Sequence, residues 1–138
     1  MNYSRINQKF FGEYLELDKL LCERFGTKSG VTEYINKLTN ANGAHGREKL
    51  LRKLIKYRGL RNRIAHEPGA LKSIDSIKKE DVSWIKSFKK TAKKGKDPLA
   101  VYLKSASGRA GSAALKKTLA LAAVVAVVAA VALIIILL

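Results

Sequence analysis

Three polar side chains near the middle of the chain have the types and the spacing for phosphodiester chemistry. They lie in the segment Leu60–Pro68, which reads Leu-Arg-Asn-Arg-Ile-Ala-His-Glu-Pro. On a helix, Asn62 and His66 are one turn apart and share a face, and the Arg61 guanidinium lies beside it. An imidazole exchanges a proton near neutral pH, and a guanidinium holds a phosphate and neutralises transition-state charge. We predict Arg61, Asn62 and His66 as catalytic residues.

These residues resemble the signature of the HEPN superfamily, an Arg followed at a short interval by His, usually with a polar residue directly after the Arg. Arg61, Asn62 and His66 fill the three positions, with four residues between Arg and His. The signature closes a long penultimate helix in that superfamily, which agrees with the helix order predicted below. The resemblance covers about residues 1–104. It implies a metal-independent endoribonuclease that acts as a homodimer or higher oligomer.

In the scheme that the resemblance implies, the RNA's own 2′-hydroxyl attacks the adjacent phosphorus and leaves a 2′,3′-cyclic phosphate. One His66 would act as base and the His66 of a second copy as acid. Arg61 would stabilise the charged intermediate, and Asn62 would orient His66 or the phosphate. Such an enzyme would suit a toxin or an antiviral effector, with an antitoxin or defence protein as a further candidate partner.

The remaining residues with reactive side chains are predicted to be structural. The two His and the single Cys lack any metal-site spacing, so no metal and no cofactor is expected. Cys22 lies among leucines and is predicted to be a buried, inert thiol. His45, in a Gly-rich turn, is predicted to be an ordinary loop residue, and Trp84 to be a packing residue.

The charge of the chain favours a polyanionic partner. There are 27 Lys and Arg against 11 Asp and Glu, a formal net charge of +16. Such a balance attracts RNA, DNA or anionic lipid head groups, and charge alone does not choose among them. We predict RNA as the partner, bound by cations on the helix that carries the signature and on the next one. These residues are Arg47, Arg52, Lys53, Lys56, Arg58, Lys89 and Lys93.

The elements that must position the signature are predicted from apolar residues at helical spacing. The predicted helices cover about residues 4–25, the region around 31–38, about 47–67, from about 80 to Gly95, and about 98–104. Pro68 should end the third helix, because the residue before a proline is pushed out of the helical region. Asp97 and Pro98 should cap and open the last one. Ile74 and Ile77 are expected to pack beneath an irregular segment.

The predicted fold class is all-α: an antiparallel up-and-down bundle of four main helices plus a short fifth, with a C-terminal transmembrane helix. Residues 1–104 form the basic domain, and residues 105–117 a flexible Ser/Gly/Ala linker with a basic flank. Residues 118–138 form the membrane anchor, because Leu119–Leu138 has no polar residue and twenty helical residues span roughly 30 Å. The basic flank predicts a single-pass cell-membrane protein with its N-terminal domain in the cytoplasm.

Two other functions are compatible with this sequence. One is a non-catalytic adaptor that binds RNA or a protein at the membrane, since a HEPN-like bundle can lose activity and keep its fold. The other is a membrane-active protein, such as a single-span pore-former, whose basic domain grips anionic lipid. We prefer the hypothesis of a membrane-anchored endoribonuclease, because it gives roles to Arg61, Asn62 and His66.

Overall fold

The structure, a computed structural model, describes residues 3–111, and this range contains helices and no strand. The all-α helical-bundle prediction is confirmed for this part of the chain. The helices are α1 (Ser4–Phe25), α2 (Gly30–Asn40), α3 (Arg47–His66), α4 (Ala70–Ser73), α5 (Lys79–Lys93) and α6, which covers residues 98–111.

The first helix is the centre of the bundle. α1 packs against α2, α3, α4 and α5. Its buried side chains include Phe10, Tyr14, Leu17 and Leu21, which recur every three or four residues and so form one apolar stripe. The bounds of α1 are those that the spacing predicted, because a stripe of this length on one helix is a strong local signal.

α1 and α5 run in the same direction. Glu13, in the middle of α1, lies 3.5 Å from Lys86 and 2.8 Å from Lys89. Arg24, near the end of α1, reaches Asp97 just beyond the end of α5, at 2.8 Å. Contacts therefore advance along both helices together. The predicted up-and-down order is wrong here, because it makes the first and fourth main helices antiparallel.

The helix that returns the chain to the start of α1 is α3 rather than α2. With 11 residues, α2 is half as long as α1 and cannot span the bundle. Asn7, in the second turn of α1, donates hydrogen bonds to the carbonyls of Leu71 and Ile74, which follow α3. The C-terminal end of α3 therefore lies at the N-terminal end of α1.

Gly30 allows α2 to begin directly against the backbone of α1. A Cβ atom at this position would lie 2.3 Å from the carbonyl oxygen of Asp18 and 2.4 Å from the amide nitrogen of Cys22. The Asp18 carboxylate accepts a hydrogen bond from the Val31 N–H at 2.8 Å, and the Cys22 thiol accepts one from the Gly30 N–H at 3.1 Å. Side chains of α1 thus satisfy the first free amides of α2.

The segment after α3 contains one helical turn, α4, where an irregular stretch was expected. Ile74 and Ile77 are each only 3% exposed, so the prediction that they pack beneath this segment is confirmed.

The last helix begins as predicted and ends later. The Asp97 carboxylate accepts a hydrogen bond from the Ala100 N–H at 3.1 Å, so Asp97 caps α6. The helix does not end at Lys104 but continues to residue 111, through the first part of the predicted linker. Extending a capped helix adds one hydrogen bond per residue without a new nucleation cost, and this stretch contains no proline. Residues 112–117 of the predicted linker lie outside the described residues.

The prediction of a single-pass membrane protein is corrected. Between residues 3 and 111, no helix is long and apolar enough to cross a membrane. α1 has sufficient length, with 22 residues, but eight of them are charged. The proposed anchor, residues 118–138, lies outside the described residues. Neither the C-terminal transmembrane helix nor the cell-membrane localisation is retained.

We expect Gly30→Ala to destabilise the bundle by about 1–3 kcal/mol, because the added methyl group meets backbone atoms that cannot turn away. Gly12→Ala is the matched control, since nothing lies within 4 Å of a Cβ atom at this exposed position in α1. It should raise stability by about 0.5–1 kcal/mol through helix propensity. Urea unfolding of the full chain measures both, and equal effects would contradict the close approach of α2 to α1.

Candidate functional site

The helix that carries the signature is held in place by Tyr57, which is fully buried. Its ring makes edge contacts with Phe10 of α1, at a centroid distance of 5.3 Å, and with Trp84 of α5, at 5.5 Å. Its hydroxyl donates a hydrogen bond to the Asp81 carboxylate at 2.7 Å. Burial, and then this hydrogen bond to an anion, raise the pKa of Tyr57 well above its ordinary value. Tyr57 thereby fixes the rotation of α3 against both neighbours.

α3 ends at His66, one residue before the predicted end at Glu67. Glu67 has an extended backbone, with φ −93° and ψ 121°, as a residue before proline requires. Its N–H still donates to the carbonyl of Arg63 at 2.8 Å. Gly69 then takes a left-handed conformation, with φ 78°, and leads into α4. His66 is therefore the last helical residue and stands at an open end of the bundle.

Two of the three predicted catalytic side chains are in direct contact. Arg61 is half-buried, and its Nη1 donates a hydrogen bond to Oδ1 of Asn62 at 3.1 Å. Asn62 and His66 are exposed and lie one helical turn apart. Arg63 belongs to a different contact, an exposed ion pair with Glu67 at 3.1 Å. The end of α3 therefore carries a guanidinium, an amide and an imidazole within six consecutive residues, and the guanidinium is hydrogen-bonded to the amide.

The same face of α3 continues as a flat strip toward the middle of the helix. Ile55, Gly59, Asn62 and His66 follow one another at intervals of four, three and four residues, which places them along one line. Gly59 has no side chain, and Ile55 is 47% exposed. This surface, the α3 strip, is directly opposite Tyr57 on the helix.

The chain matches a family whose members have no known function, DUF6548, over residues 8–112. It belongs to this family. No curated protein matches the chain, and no solved structure does. The matched range begins inside α1 and includes α2 to α5, so it contains the three predicted catalytic residues of this DUF6548 protein.

Two of the predicted RNA-binding residues have internal partners. The Arg47 guanidinium donates hydrogen bonds to the backbone carbonyls of Leu38, at 3.0 Å, and of Thr39. It thereby provides donors for two carbonyl groups at the C-terminal end of α2. Lys89 donates to the carboxylates of Glu13 and Glu16 on α1. The hydrogen bond with Glu13 is the main cause that raises the pKa of Lys89, and Lys89 in turn lowers the pKa of Glu16.

The other five predicted RNA-binding residues are placed differently. Lys56 lies 4.0 Å from the Asp81 carboxylate, and the Lys53 ammonium lies 4.9 Å from the centre of the Trp84 ring. Arg52 makes an exposed ion pair with Glu48, at 3.7 Å. Arg58 is half-buried and Lys93 is exposed. Their role in RNA binding stays a prediction.

A groove at the N-terminal end of α3 was not predicted from the sequence. It has a volume of about 260 Å³ and is lined by His45, Gly46, Lys49, Leu50, Lys53, Trp84, Phe88 and Pro98. These residues come from three separated segments, so no local pattern signals the groove. Trp84 is a packing residue, as predicted, because it stacks on Phe88 at 5.0 Å, but it also forms part of this wall.

No group of three or more His, Cys, Asp or Glu side chains between residues 3 and 111 is arranged to hold a metal ion.

We expect Arg47→Ala to lower the stability of the bundle by about 1–2 kcal/mol, because two carbonyls of α2 lose a charged donor. Arg52→Ala removes the same charge from an exposed site on the same helix and should change stability by no more than about 0.5 kcal/mol. Urea unfolding measures the stabilities, and RNA affinity at one salt concentration is measured alongside. A greater loss of stability in Arg52→Ala would contradict the structural role of Arg47.

Proposed function

We propose that this DUF6548 protein is a metal-independent endoribonuclease with a site formed by Arg61, Asn62 and His66. The observation that supports it best is the position of these three groups within six consecutive residues, with Asn62 and His66 exposed and Arg61 half-buried, at the end of a helix that Tyr57 immobilises. Catalytic groups need such a rigid support, because small displacements reduce catalysis strongly. The net charge of +16 would bring RNA to this surface. Depletion of cellular RNA by such an enzyme fits a toxin or antiviral effector.

In the proposed reaction, the 2′-oxygen of one ribose forms a bond with the adjacent phosphorus, and the bond from phosphorus to the 5′-oxygen breaks. His66 accepts the proton of the 2′-hydroxyl as general base. A second imidazole gives a proton to the departing 5′-oxygen. The Arg61 guanidinium neutralises the charge that builds on the phosphate oxygens, and Asn62 holds Arg61 in position. The products are a 2′,3′-cyclic phosphate and a 5′-hydroxyl.

This chemistry calls for two copies of the chain. A single His66 cannot be base and acid in the same step, and His45 lies at the opposite end of α3. The α3 strip suits the second copy, because Gly59 permits close approach and Ile55 offers an apolar contact there. Two strips side by side would bring two His66 side chains to one cleft.

A second candidate function is binding of RNA without cleavage. It is favoured by one feature of His66: among residues 3–111, no side chain and no backbone group forms a hydrogen bond with its imidazole. In many catalytic sites a third group orients the base. In the endoribonuclease proposal, the RNA or the second copy supplies that group.

Cleavage of RNA by the full chain in EDTA tests the proposal. We expect His66→Ala and Arg61→Ala each to reduce the rate by about 100-fold or more. Arg63→Ala is the matched control, because Arg63 is exposed, lies between the two and pairs with Glu67; this variant should cleave at nearly the normal rate. Cleavage that survives His66→Ala would overturn the proposal. RNA binding without any cleavage would support the second candidate.

The proposed pairing of two copies through the α3 strip can be tested separately. Ile55→Asp should weaken self-association and cleavage together, because it places a charge in the α3 strip. Leu15→Asp is the matched control, since Leu15 is 40% exposed on α1 and should affect neither. Sedimentation of the full chain over a range of concentrations measures the association. Full cleavage by a monomeric Ile55→Asp variant would contradict the composite site.

A further inference from the structure

We infer that the groove beside Trp84 holds one unpaired base of the RNA, so that the substrate is a single strand rather than a duplex. The inference rests on the proposed function and adds to it the form of RNA that the protein takes. We call this groove the Trp84 groove. It is the groove at the N-terminal end of α3, about 260 Å³ in volume and lined by eight residues, none of them acidic. It is smaller than the cavities of about 300–1,000 Å³ that hold drug-sized ligands, which suits one flat ring system.

The aromatic wall of the groove is supported from behind. Trp84 stacks on Phe88 with an angle of 8° between the rings, and Tyr57 meets it edge-on at 67°. Both supporting residues are buried, whereas Trp84 is half-buried. An indole held in this way is a fixed platform, and every nucleobase has a flat face that can stack on it.

Lys53 covers the ring when no ligand is bound. Its ammonium lies 4.9 Å from the Trp84 ring centre, a distance typical of a cation–π contact. A base that stacks on the ring takes the place of this ammonium. Lys53 then turns to a phosphate of the same strand, so the cation exchanges an aromatic partner for an anionic one.

Two further groups complete the recognition of a strand. Lys49 lies one turn before Lys53 on α3 and lines the same groove, so both ammonium groups can pair with consecutive phosphates. His45 is exposed at the rim and offers a ring nitrogen to the base edge. An apolar floor with cations on one side matches the two parts of a nucleotide. A base pair in a duplex hides both faces of the base and cannot enter.

The groove and the catalytic residues lie at opposite ends of one helix. Lys49 and His66 are 17 residues apart, which corresponds to about 26 Å along α3. A strand with about 3.4 Å per stacked nucleotide needs roughly eight nucleotides to cover this distance. The Trp84 groove would therefore hold the strand well away from the bond that is cut.

Fluorescence of the full chain tests this directly, because Trp84 is the only tryptophan. The probe is a ten-nucleotide 2′-O-methyl RNA, which cannot supply a 2′-hydroxyl and so is not cleaved. We expect the single strand to quench Trp84 fluorescence by about half or more, as base stacking does, and the same strand in a duplex to leave it nearly unchanged. Equal effects of single strand and duplex, or no quenching at saturation, would overturn the inference.

Matched double variants separate the groove from general charge. Lys49→Ala with Lys53→Ala should weaken binding of the labelled single strand about tenfold, as measured by fluorescence anisotropy. Lys19→Ala with Lys90→Ala removes the same charge from an exposed surface between α1 and α5, and should weaken it much less. Equal losses in the two double variants would contradict the groove.

The quenching experiment can succeed or fail independently of whether the protein cleaves RNA. If the strand quenches Trp84 but natural RNA is never cleaved, the base-binding groove stands and the endoribonuclease proposal fails. If natural RNA is cleaved in a His66-dependent way while the strand leaves Trp84 unchanged, the endoribonuclease proposal stands and the groove fails.

Discussion

The position of α3 depends on Tyr57, whose ring is enclosed by α1 and α5 and whose hydroxyl binds the Asp81 carboxylate. Rotation of α3 would break two ring contacts and leave a buried hydroxyl without its partner, which costs about 1–3 kcal/mol for the hydroxyl alone. His66 is nine residues from Tyr57, which is two and a half helical turns. The contacts of Tyr57 on one side of α3 therefore place the His66 imidazole on the opposite side, in solvent.

The use of the acidic residues explains how the bundle supports so large a positive charge. Asp18 caps α2, Asp81 binds Tyr57, and Asp97 receives hydrogen bonds from Arg24, Tyr34 and the start of α6.

Glu13 and Glu16 hold Lys89 between α1 and α5. These carboxylates are placed where helices meet, so their charge serves internal contacts. The excess of lysine and arginine remains at the surface, where it can attract a polyanion.

Local patterns in the sequence predicted the parts of this structure that depend on neighbouring residues. The apolar spacing set the bounds of α1, Pro68 set the end of α3, and Asp97 set the start of α6. The exposed turn with Asn62 and His66 follows from the same local signals. These are effects of helix geometry and backbone sterics, which act over a few residues.

Contacts between distant segments could not be predicted in this way. The shared direction of α1 and α5 follows from ion pairs more than 70 residues apart in sequence. Arg47 and Lys89 were predicted to bind RNA because their charge was visible and their partners were not. The Trp84 groove is assembled from three segments.

The predicted transmembrane helix was the strongest local pattern, yet no described helix can cross a membrane.

Ten-nucleotide DNA strands that each carry one ribonucleotide test most directly whether the end of α3 cuts RNA by attack of the RNA's own 2′-hydroxyl. Four such strands offer each base in turn at the ribonucleotide, and the ends of the products are mapped after incubation with the full chain in EDTA. We expect cleavage only on the 3′ side of the ribonucleotide, with a 2′,3′-cyclic phosphate on one product. Cleavage at deoxynucleotides, or no cleavage of any of the four strands, would contradict it.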